Sequence, residues 1–194
     1  MTMMNNSAMT RLFFAMPAEG MAEALRPVHD ELAGYRRALK AVEPENYHIT
    51  LKFLGETDRG ALGRLAGDFR ALHPDLGALP CTLRGLGAFP DIRRARVLWC
   101  GLDLDLVAME RVRLLIEDLS EKHGFAKEPR PFQPHLTLAR VRKDMIVPAE
   151  CAAYIAAHQD TVFGTSLFDR IVLFKSELRR EGPRYTALEE KKLR

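Results

Sequence analysis

The sequence has little of several features that define common classes of protein. Cysteine occurs only three times in 194 residues, at positions 81, 100 and 151, and this odd, widely spaced set forms neither a metal-ligand pair nor a disulfide framework. Because free cysteines persist in reducing compartments, we expect a cytoplasmic protein. No apolar run approaches the length of a membrane span. Residues 1–10 also lack the basic and then apolar pattern of a secretion signal, and we expect them to form a disordered leader.

A large excess of charge of one sign is missing as well. The chain has 29 basic and 26 acidic residues, for a net charge of +3. This is too small for a protein that wraps long nucleic acid and must neutralise many phosphates. A small phosphate-bearing substrate, or the end of an RNA, fits this balance better, and we expect a monomer. The basic clusters at residues 93–96, 140–143 and 179–184 are each interpreted as solvated surface runs.

What is present is a regular succession of strand and helix patterns. Strands are predicted at residues 11–16, 47–54, 79–89, 96–102, 135–141, 166–174 and 185–188. Helices are predicted at residues 21–35, from Thr57 or Asp58 to about 72, at 105–122, and after Pro148. We expect Pro27 to kink or split the first helix. The resulting order, roughly β-α-β-α-β-β and then α-β-α-β-β, indicates one structural unit used twice.

Two matching tetrads stand within strong strand patterns, one in each half of the chain. They read His-Ile-Thr-Leu at 48–51 and His-Leu-Thr-Leu at 135–138. A single histidine on a strand is usually a buried, hydrogen-bonded core residue. The repetition of the whole tetrad, at a separation close to half of the chain, favours a functional pair over two unrelated core histidines.

Strand parity predicts where the side chains of these tetrads point. Alternate residues of a strand face opposite sides, so His48 and Thr50 are expected on one face together with Lys52. The same parity places His135 and Thr137 on one face, and both pairs are then free to face a shared groove. The opposite, core-facing set of the first strand comprises Tyr47, Ile49, Leu51 and Phe53.

Two opposed histidines suit the cleavage of a phosphodiester. This reaction needs a base that deprotonates the attacking oxygen and an acid that protonates the leaving oxygen, on opposite sides of phosphorus. Because the ordinary pKa of histidine is about 6.5, one imidazole is neutral and its partner charged near neutral pH. Threonine hydroxyls and a cation around the phosphate would stabilise the charge that develops in the transition state. We expect neither a metal nor a cofactor.

Other kinds of site fit the sequence less well. A metal site would want three or four ligands, and the remaining histidines lack ligand spacing. These are His29, His73, His123 and His158. There is also no G-x-S-x-G nucleophile elbow, no P-loop and no dinucleotide fingerprint.

The paired tetrads resemble the His-x-Thr-x motifs of the two-histidine (2H) phosphoesterase superfamily. Several further segments, in order along nearly the whole chain, resemble the RNA 2′,3′-cyclic phosphodiesterases, a family also named 2′-5′ RNA ligases. These segments are Arg-Leu-Phe-Phe-Ala (11–15), His-Ile-Thr-Leu-Lys-Phe-Leu-Gly-Glu (48–56), Gly-Ala-Phe-Pro (87–90), Arg-Val-Leu-Trp (96–99) and Pro-His-Leu-Thr-Leu-Ala-Arg (134–140).

The resemblance implies an α+β fold for residues 11–194: one bilobal, pseudo-twofold domain in which two antiparallel sheets flank a central, positively charged groove, with helices outside. It implies hydrolysis of an RNA 2′,3′-cyclic phosphate end to a 2′-phosphate, and 2′-5′ ligation in the reverse direction. In hydrolysis His135 would activate water and His48 would protonate the departing 3′ oxygen. The residues alone do not decide which histidine has which role.

The same resemblance assigns substrate-binding roles to further residues. Thr50 and Thr137 would bind the phosphate, and Arg140 would add a cation, although strand parity puts Arg140 on the aliphatic face unless the strand ends or bulges near residue 139. Phe13 is a candidate for stacking on a base, and Lys52 is a candidate phosphate contact. A phosphodiesterase that acts on another small cyclic or 2′-5′-linked nucleotide, and a nucleotide-binding module with an idle site, stay open as alternatives.

Overall fold

The computed structural model describes residues 9–179 and 182–193. Its strands are β1 (Thr10–Pro17), β2 (Leu39–Ala41), β3 (His48–Thr57), β4 (Leu79–Phe89), β5 (Val97–Leu104), β6 (His135–Val141), β7 (Val162–Phe168), β8 (Arg170–Leu178) and β9 (Pro183–Lys192). Its α-helices are α1 (Arg26–Gly34), α2 (Arg59–Ala71), α3 (Leu106–Lys122) and α4 (Ala149–Ala157).

The strands form two antiparallel sheets. The first sheet has the order β3-β1-β8-β9 and the second has the order β2-β6-β5-β4-β7. In each sheet the strand that carries a tetrad, β3 or β6, pairs with an inner strand, β1 or β5. β3 is an edge strand of its sheet, whereas β6 is also paired with the short strand β2. The expected α+β fold with two antiparallel sheets is confirmed.

The helices cover the outer faces of the sheets. Contacts join α2 to β9 and α3 to β3 on the first sheet, and α1 to β6 and α4 to β4 on the second. Asp58 and Asp105 cap α2 and α3 by accepting hydrogen bonds from backbone N–H groups of the first turn. With their outer faces buried against helices, the sheets leave their inner faces to line a groove.

The C-terminal strands differ from the prediction. The pattern at 166–174 predicts one strand, but the structure has two: β7 belongs to the second sheet and β8 to the first, and Asp169 lies between them. The apolar pattern continues across this crossing because both strands bury residues in the same core. The last strand, predicted at 185–188, extends over the whole of β9.

The N-terminal part also differs in detail. The helix predicted at 21–35 is divided near Pro27, as expected: Glu19–Met21 form a short 3₁₀ helix, and α1 begins only at Arg26. Pro27 lies in the first turn of α1, where its missing N–H costs no hydrogen bond. The short strand β2 has no clear sequence pattern and was not predicted. Of the expected leader, residues 1–8 lie outside the described residues, and Thr10 already belongs to β1. Within residues 9–179 and 182–193, no helix is long and apolar enough to cross a lipid bilayer.

Candidate active site

The two tetrad histidines have the same local geometry. His48 is the first residue of β3, and its Nδ1 donates a hydrogen bond of 2.7 Å to the carbonyl oxygen of Asn46. His135 is the first residue of β6, and its Nδ1 donates a hydrogen bond of 2.7 Å to the carbonyl oxygen of Gln133. A carbonyl only accepts, so each neutral ring carries its proton on Nδ1 and leaves Nε2 as the free nitrogen. Each imidazole is thus oriented to take or give a proton through Nε2.

The two rings and one arginine are electrostatically coupled. Burial lowers the pKa of His48 to about 4, the hydrogen bond to Asn46 opposes this shift, and the charges of Arg140 and His135 lower the pKa further. Burial also lowers the pKa of His135, again with a contribution from Arg140. Both histidines are therefore neutral at pH 7 before an anion binds, and Arg140 lies within electrostatic reach of both.

The two threonines lie on the same face as their histidines. Thr50 and Thr137 are partly buried at the groove, whereas the aliphatic residues on either side of them are buried in the core. Thr137 lines the same cavity as His48, although the two residues belong to different sheets. His48 and Thr137 therefore come together at one cavity, and the charge of His135 acts on His48, whereas Thr50 is not among the residues that line this cavity.

Arg140 reaches the groove because β6 contains a bulge. Leu98 pairs with Ala139 and the next residue, Trp99, pairs with Thr137, so Leu138 has no partner of its own in this register. A bulge inserts one residue and reverses the parity that follows it. Leu138 and Ala139 are consequently both buried, and Arg140 is exposed to the groove. This resolves the conflict between simple alternation and the assignment of Arg140 by resemblance.

The first tetrad strand contains the same bulge, and here it overturns two expectations. Phe14 pairs with Lys52 and the next residue, Ala15, pairs with Thr50, which leaves Leu51 without a partner in the register. Lys52 therefore turns away from the groove, and Phe53, expected in the core, is 66% exposed. The placement of Lys52 on the face of His48 is wrong.

The ammonium group of Lys52 has its own buried partners. It donates to the carboxylate of Glu117 in α3 at 2.7 Å and to the carbonyl oxygen of Ala126 at 2.5 Å, and the side chain is almost fully buried. A lysine enclosed in this way links β3 to the helix behind it. Its ammonium group is therefore engaged away from the groove.

The aromatic wall next to His48 differs from the one expected. Phe13 is only 2% exposed, and its ring contacts His48 at a centroid distance of 5.1 Å and Tyr185 at 4.9 Å. Phe13 is thus a support beneath the histidine and offers little surface to a base. The exposed ring of Phe53 and the partly buried ring of Tyr185 provide the surface for stacking. Neither was predicted: Phe53 was hidden by the bulge, and Tyr185 lies in a short, weak strand pattern.

A cavity of about 800 Å³, which we call the first cavity, opens in front of this wall. It is lined by His48, Thr137, Phe53 and Tyr185 among others. Its basic lining residues are Arg11, Lys40, Arg140, Arg179 and Arg184, against two acidic ones, Glu43 and Glu45. The basic clusters at 140–143 and 179–184 therefore contribute cations to the groove, namely Arg140, Arg179 and Arg184. The sequence alone had indicated that each cluster was a solvated surface run. The expected positive groove has a structural basis in this cavity.

A second cavity, of about 470 Å³, lies on the other side of the site next to His135. Its aromatic lining residues are Phe89, Trp99 and Phe132. The ring of Phe89 meets the ring of His135 edge to face at 4.9 Å, as Tyr185 meets His48 at 5.3 Å in the other sheet. The site thus has an aromatic wall beside each histidine.

Comparison with known proteins identifies relatives over most of the chain. The family model described as LigT like Phosphoesterase matches residues 16–99 and 105–185. An RNA 2′,3′-cyclic phosphodiesterase of Methanocaldococcus jannaschii is 35% identical over 93% of this chain and 99% of its own length. A protein of the same name from Aeropyrum pernix is 33% identical over 89% of this chain and 96% of its own length.

Solved structures share the fold. A crystal structure of a Thermus thermophilus protein matches with a TM-score of 0.74 at 26% identity, covering 94% of this chain and 97% of the other. Escherichia coli LigT, crystallised with 3′-AMP, matches with a TM-score of 0.73 at 23% identity, covering 95% and 98% of the two chains. With its paired tetrads, its two sheets and a family match over most of its length, the chain belongs to the LigT-like phosphoesterase family.

Proposed function

We propose that this protein hydrolyses the 2′,3′-cyclic phosphate at an RNA 3′ end to a 2′-phosphate, with the two histidines as acid and base and without a metal. The observation that carries the proposal is the pair of imidazoles, each held through Nδ1 by the carbonyl two residues before it and each left with a free Nε2. One imidazole comes from each sheet, which matches the in-line geometry of attack and departure at phosphorus.

The proposed reaction exchanges one bond to phosphorus for another. His135 takes a proton from water, the water oxygen bonds to phosphorus, and the bond from phosphorus to the 3′ oxygen breaks. His48 gives its proton to that oxygen, so the product has a 2′-phosphate and a 3′-hydroxyl. One imidazole must enter protonated, and the negative charge of the bound phosphate favours this because it raises the pKa of both rings.

Charge stabilisation is assigned to groups around the phosphate. Thr50 and Thr137 donate hydroxyl hydrogen bonds to its non-bridging oxygens, and the guanidinium of Arg140 supplies a cation. Both histidines are partly buried, and interactions between charges strengthen where water is partly excluded. When a 5′-hydroxyl replaces water as the nucleophile, His135 and His48 keep these roles, the bond from phosphorus to the 3′ oxygen breaks, and the site joins RNA ends through a 2′-5′ linkage. The histidines exchange roles in the reverse reaction, the cleavage of that linkage.

The first cavity supports RNA as the substrate. Its basic side chains suit the phosphates of a short oligonucleotide, and Phe53 and Tyr185 offer ring surface to the terminal base. The relatives named RNA 2′,3′-cyclic phosphodiesterase, at 33–35% identity over nearly full length, point to the same substrate. A monomeric, cytoplasmic enzyme is part of this proposal.

The test is hydrolysis of an oligonucleotide that ends in a 2′,3′-cyclic phosphate, with and without EDTA. We expect conversion to the 2′-phosphate at the same rate in both conditions. Loss of activity with EDTA would reject the metal-free mechanism. Tight binding of the oligonucleotide without turnover would favour a nucleotide-binding module, and turnover of 2′,3′-cyclic mononucleotides alone would move the substrate to small cyclic nucleotides.

A further inference from the structure

The second cavity contains a flat aromatic platform whose form depends on glycine. Trp99 in β5 pairs with Gly87 in β4, and a Cβ atom placed on Gly87 would lie 2.2 Å from the indole ring. The indole therefore lies across the neighbouring strand in the space that a side chain would otherwise fill. The rings of Phe89 and Phe132 and the exposed side chain of Leu106 complete the apolar lining. Such a surface suits stacking with a nucleobase.

The platform lies on the side of the site where the attacking oxygen must arrive. His135 lines the second cavity, whereas His48 and Thr137 line the first. In the proposed reaction the first cavity holds the nucleotide that carries the cyclic phosphate, and His135 activates the nucleophile. A group in the second cavity is therefore placed next to the base, on the opposite side of phosphorus from the leaving 3′ oxygen.

The charges of the two cavities differ in a way that selects the occupant. The first cavity has five basic lining residues, but the charged residues among those that line the second are Arg84, Asp103 and the titratable His135. Arg84 and Asp103 also approach each other to 3.8 Å, so their charges offset. A nearly neutral, aromatic cavity suits a nucleoside with a free 5′-hydroxyl better than one with a 5′-phosphate. Its volume of about 470 Å³ falls within the roughly 300–1,000 Å³ of small-ligand sites.

We propose that the second cavity binds the nucleoside whose 5′ oxygen is joined to, or attacks, the phosphorus, with Trp99 and Phe132 stacking on its base. This inference rests on the proposed function and names the residues that let an RNA end compete with water as the nucleophile. In cleavage of a 2′-5′ linkage, His48 takes the proton of the 3′-hydroxyl and the 3′ oxygen bonds to phosphorus. The bond from phosphorus to the 5′ oxygen breaks, and His135 protonates that oxygen. The products are a 2′,3′-cyclic phosphate and a 5′-hydroxyl nucleoside.

The kinetic test compares two reactions in the same protein. One is hydrolysis of an oligonucleotide 2′,3′-cyclic phosphate, which occupies the first cavity, and the other is cleavage of 2′-5′-linked diadenosine, which occupies both. Phe132→Ala is expected to lower the ratio of diadenosine cleavage to cyclic phosphate hydrolysis about tenfold, because one stacking contact is lost. Phe53→Ala is the matched control: it removes an aromatic ring from the first cavity, so both reactions fall together and the ratio stays.

The outcomes separate the two proposals. No hydrolysis of the cyclic phosphate by the unmodified protein would reject the proposed function. Normal hydrolysis with no cleavage of diadenosine, or an unchanged ratio in Phe132→Ala, would reject the second nucleoside site while leaving the proposed function intact.

Trp99 provides a direct binding signal because it is the single tryptophan of the sequence. In a His48→Ala variant, which prevents turnover, titration with 2′-5′-linked diadenosine is expected to quench tryptophan emission as the second base stacks on the indole. Adenosine 2′-phosphate, which fills the first cavity, is the control and is expected to leave most of the emission. Equal quenching by the two compounds at saturation, or no quenching by the dinucleotide, would overturn the assignment.

Discussion

The strands β3 and β6 share one backbone geometry, and their side chains differ in chemical character at two positions. Each strand begins with the histidine that is a candidate for catalysis and has a threonine two residues later. Each strand also has a bulge at the leucine that ends the tetrad. The buried residue after the bulge is Lys52 in one strand and Ala139 in the other. The next residue, back on the groove face, is Phe53 in one and Arg140 in the other.

This difference shows how a duplicated strand can be specialised without losing its geometry. The bulge and the carbonyl that holds each histidine are common to both strands, so the two imidazoles are presented in the same way. The position that returns to the groove five residues after the histidine is an exposed aromatic surface in one strand and a cation in the other. The following predictions test how far the equivalence of the two strands extends.

We expect both histidines to be required for activity. His48→Ala and His135→Ala should each lower kcat for cyclic phosphate hydrolysis by about 10²–10⁴-fold, because each removes one proton transfer from the transition state. Steady-state kinetics measure the loss, and urea unfolding checks that the free energy of unfolding stays close to that of the unmodified protein. If either variant kept full activity, the two-histidine mechanism would be wrong.

Lys52 and Ala139 occupy equivalent positions but are not interchangeable. Lys52→Ala would leave the carboxylate of Glu117, which is 1% exposed, without its closest cation. We expect a loss of about 3 kcal/mol in the free energy of unfolding, measured by urea denaturation. The double variant Lys52→Met, Glu117→Leu should recover most of this loss, because it removes both charges. If Lys52→Ala lowered activity without lowering the free energy of unfolding, Lys52 would instead act in binding the phosphate.

Arg140 and Phe53 test the equivalence on the groove face. Arg140→Ala is expected to lower kcat/KM by about 10–100-fold, because a cation beside the phosphate is lost. If the two positions are related by the pseudo-twofold axis, adding Phe53→Arg to Arg140→Ala should restore part of that activity. The matched control is Phe53→Arg alone. If the double variant recovered no activity, the two strands would be equivalent in backbone geometry only, and a cation at position 53 could not replace Arg140.

The pH dependence tests the coupling between the two strands. Burial lowers the pKa of His48 to about 4 and that of His135 below its ordinary 6.5. Since the reaction needs one protonated and one neutral ring, kcat/KM should peak between about pH 4 and 6.5. The kcat maximum should lie at higher pH, because bound phosphate raises both pKa values.

Arg140→Ala should move the kcat/KM maximum toward neutral pH. Removal of the cation favours protonation and therefore raises the pKa of each histidine. The pH profiles of the two proteins, measured with the same oligonucleotide, check the direction of this shift. A shift toward acid pH would show that Arg140 does not act on the histidines electrostatically.

Much of this architecture follows from local patterns in the sequence. The sequence predicted the positions of β1, β3 to β6, α2 and α3 and the cap at Asp58. It also predicted that His48 shares a face with Thr50, and His135 with Thr137. They depend on the spacing of apolar residues and on capping groups within a few residues, which short-range physics specifies. The family resemblance added Arg140, which local parity opposed.

The tertiary structure decided the features that depend on pairing between distant segments. A bulge is defined by the register against β1 or β5, so nothing within His-Ile-Thr-Leu-Lys-Phe reveals that Lys52 turns inward to Glu117 and Phe53 turns outward. Two further features also depend on distant pairing. The chain crosses between the sheets at Asp169, and β9 brings Tyr185 beside His48 and Arg184 into the first cavity. The sequence by itself determined which residues are the candidates for the chemistry, because the tetrads are local. Only the folded pairing of strands determined which neighbours surround them, because an inserted residue shifts the alternation of side chains beyond it.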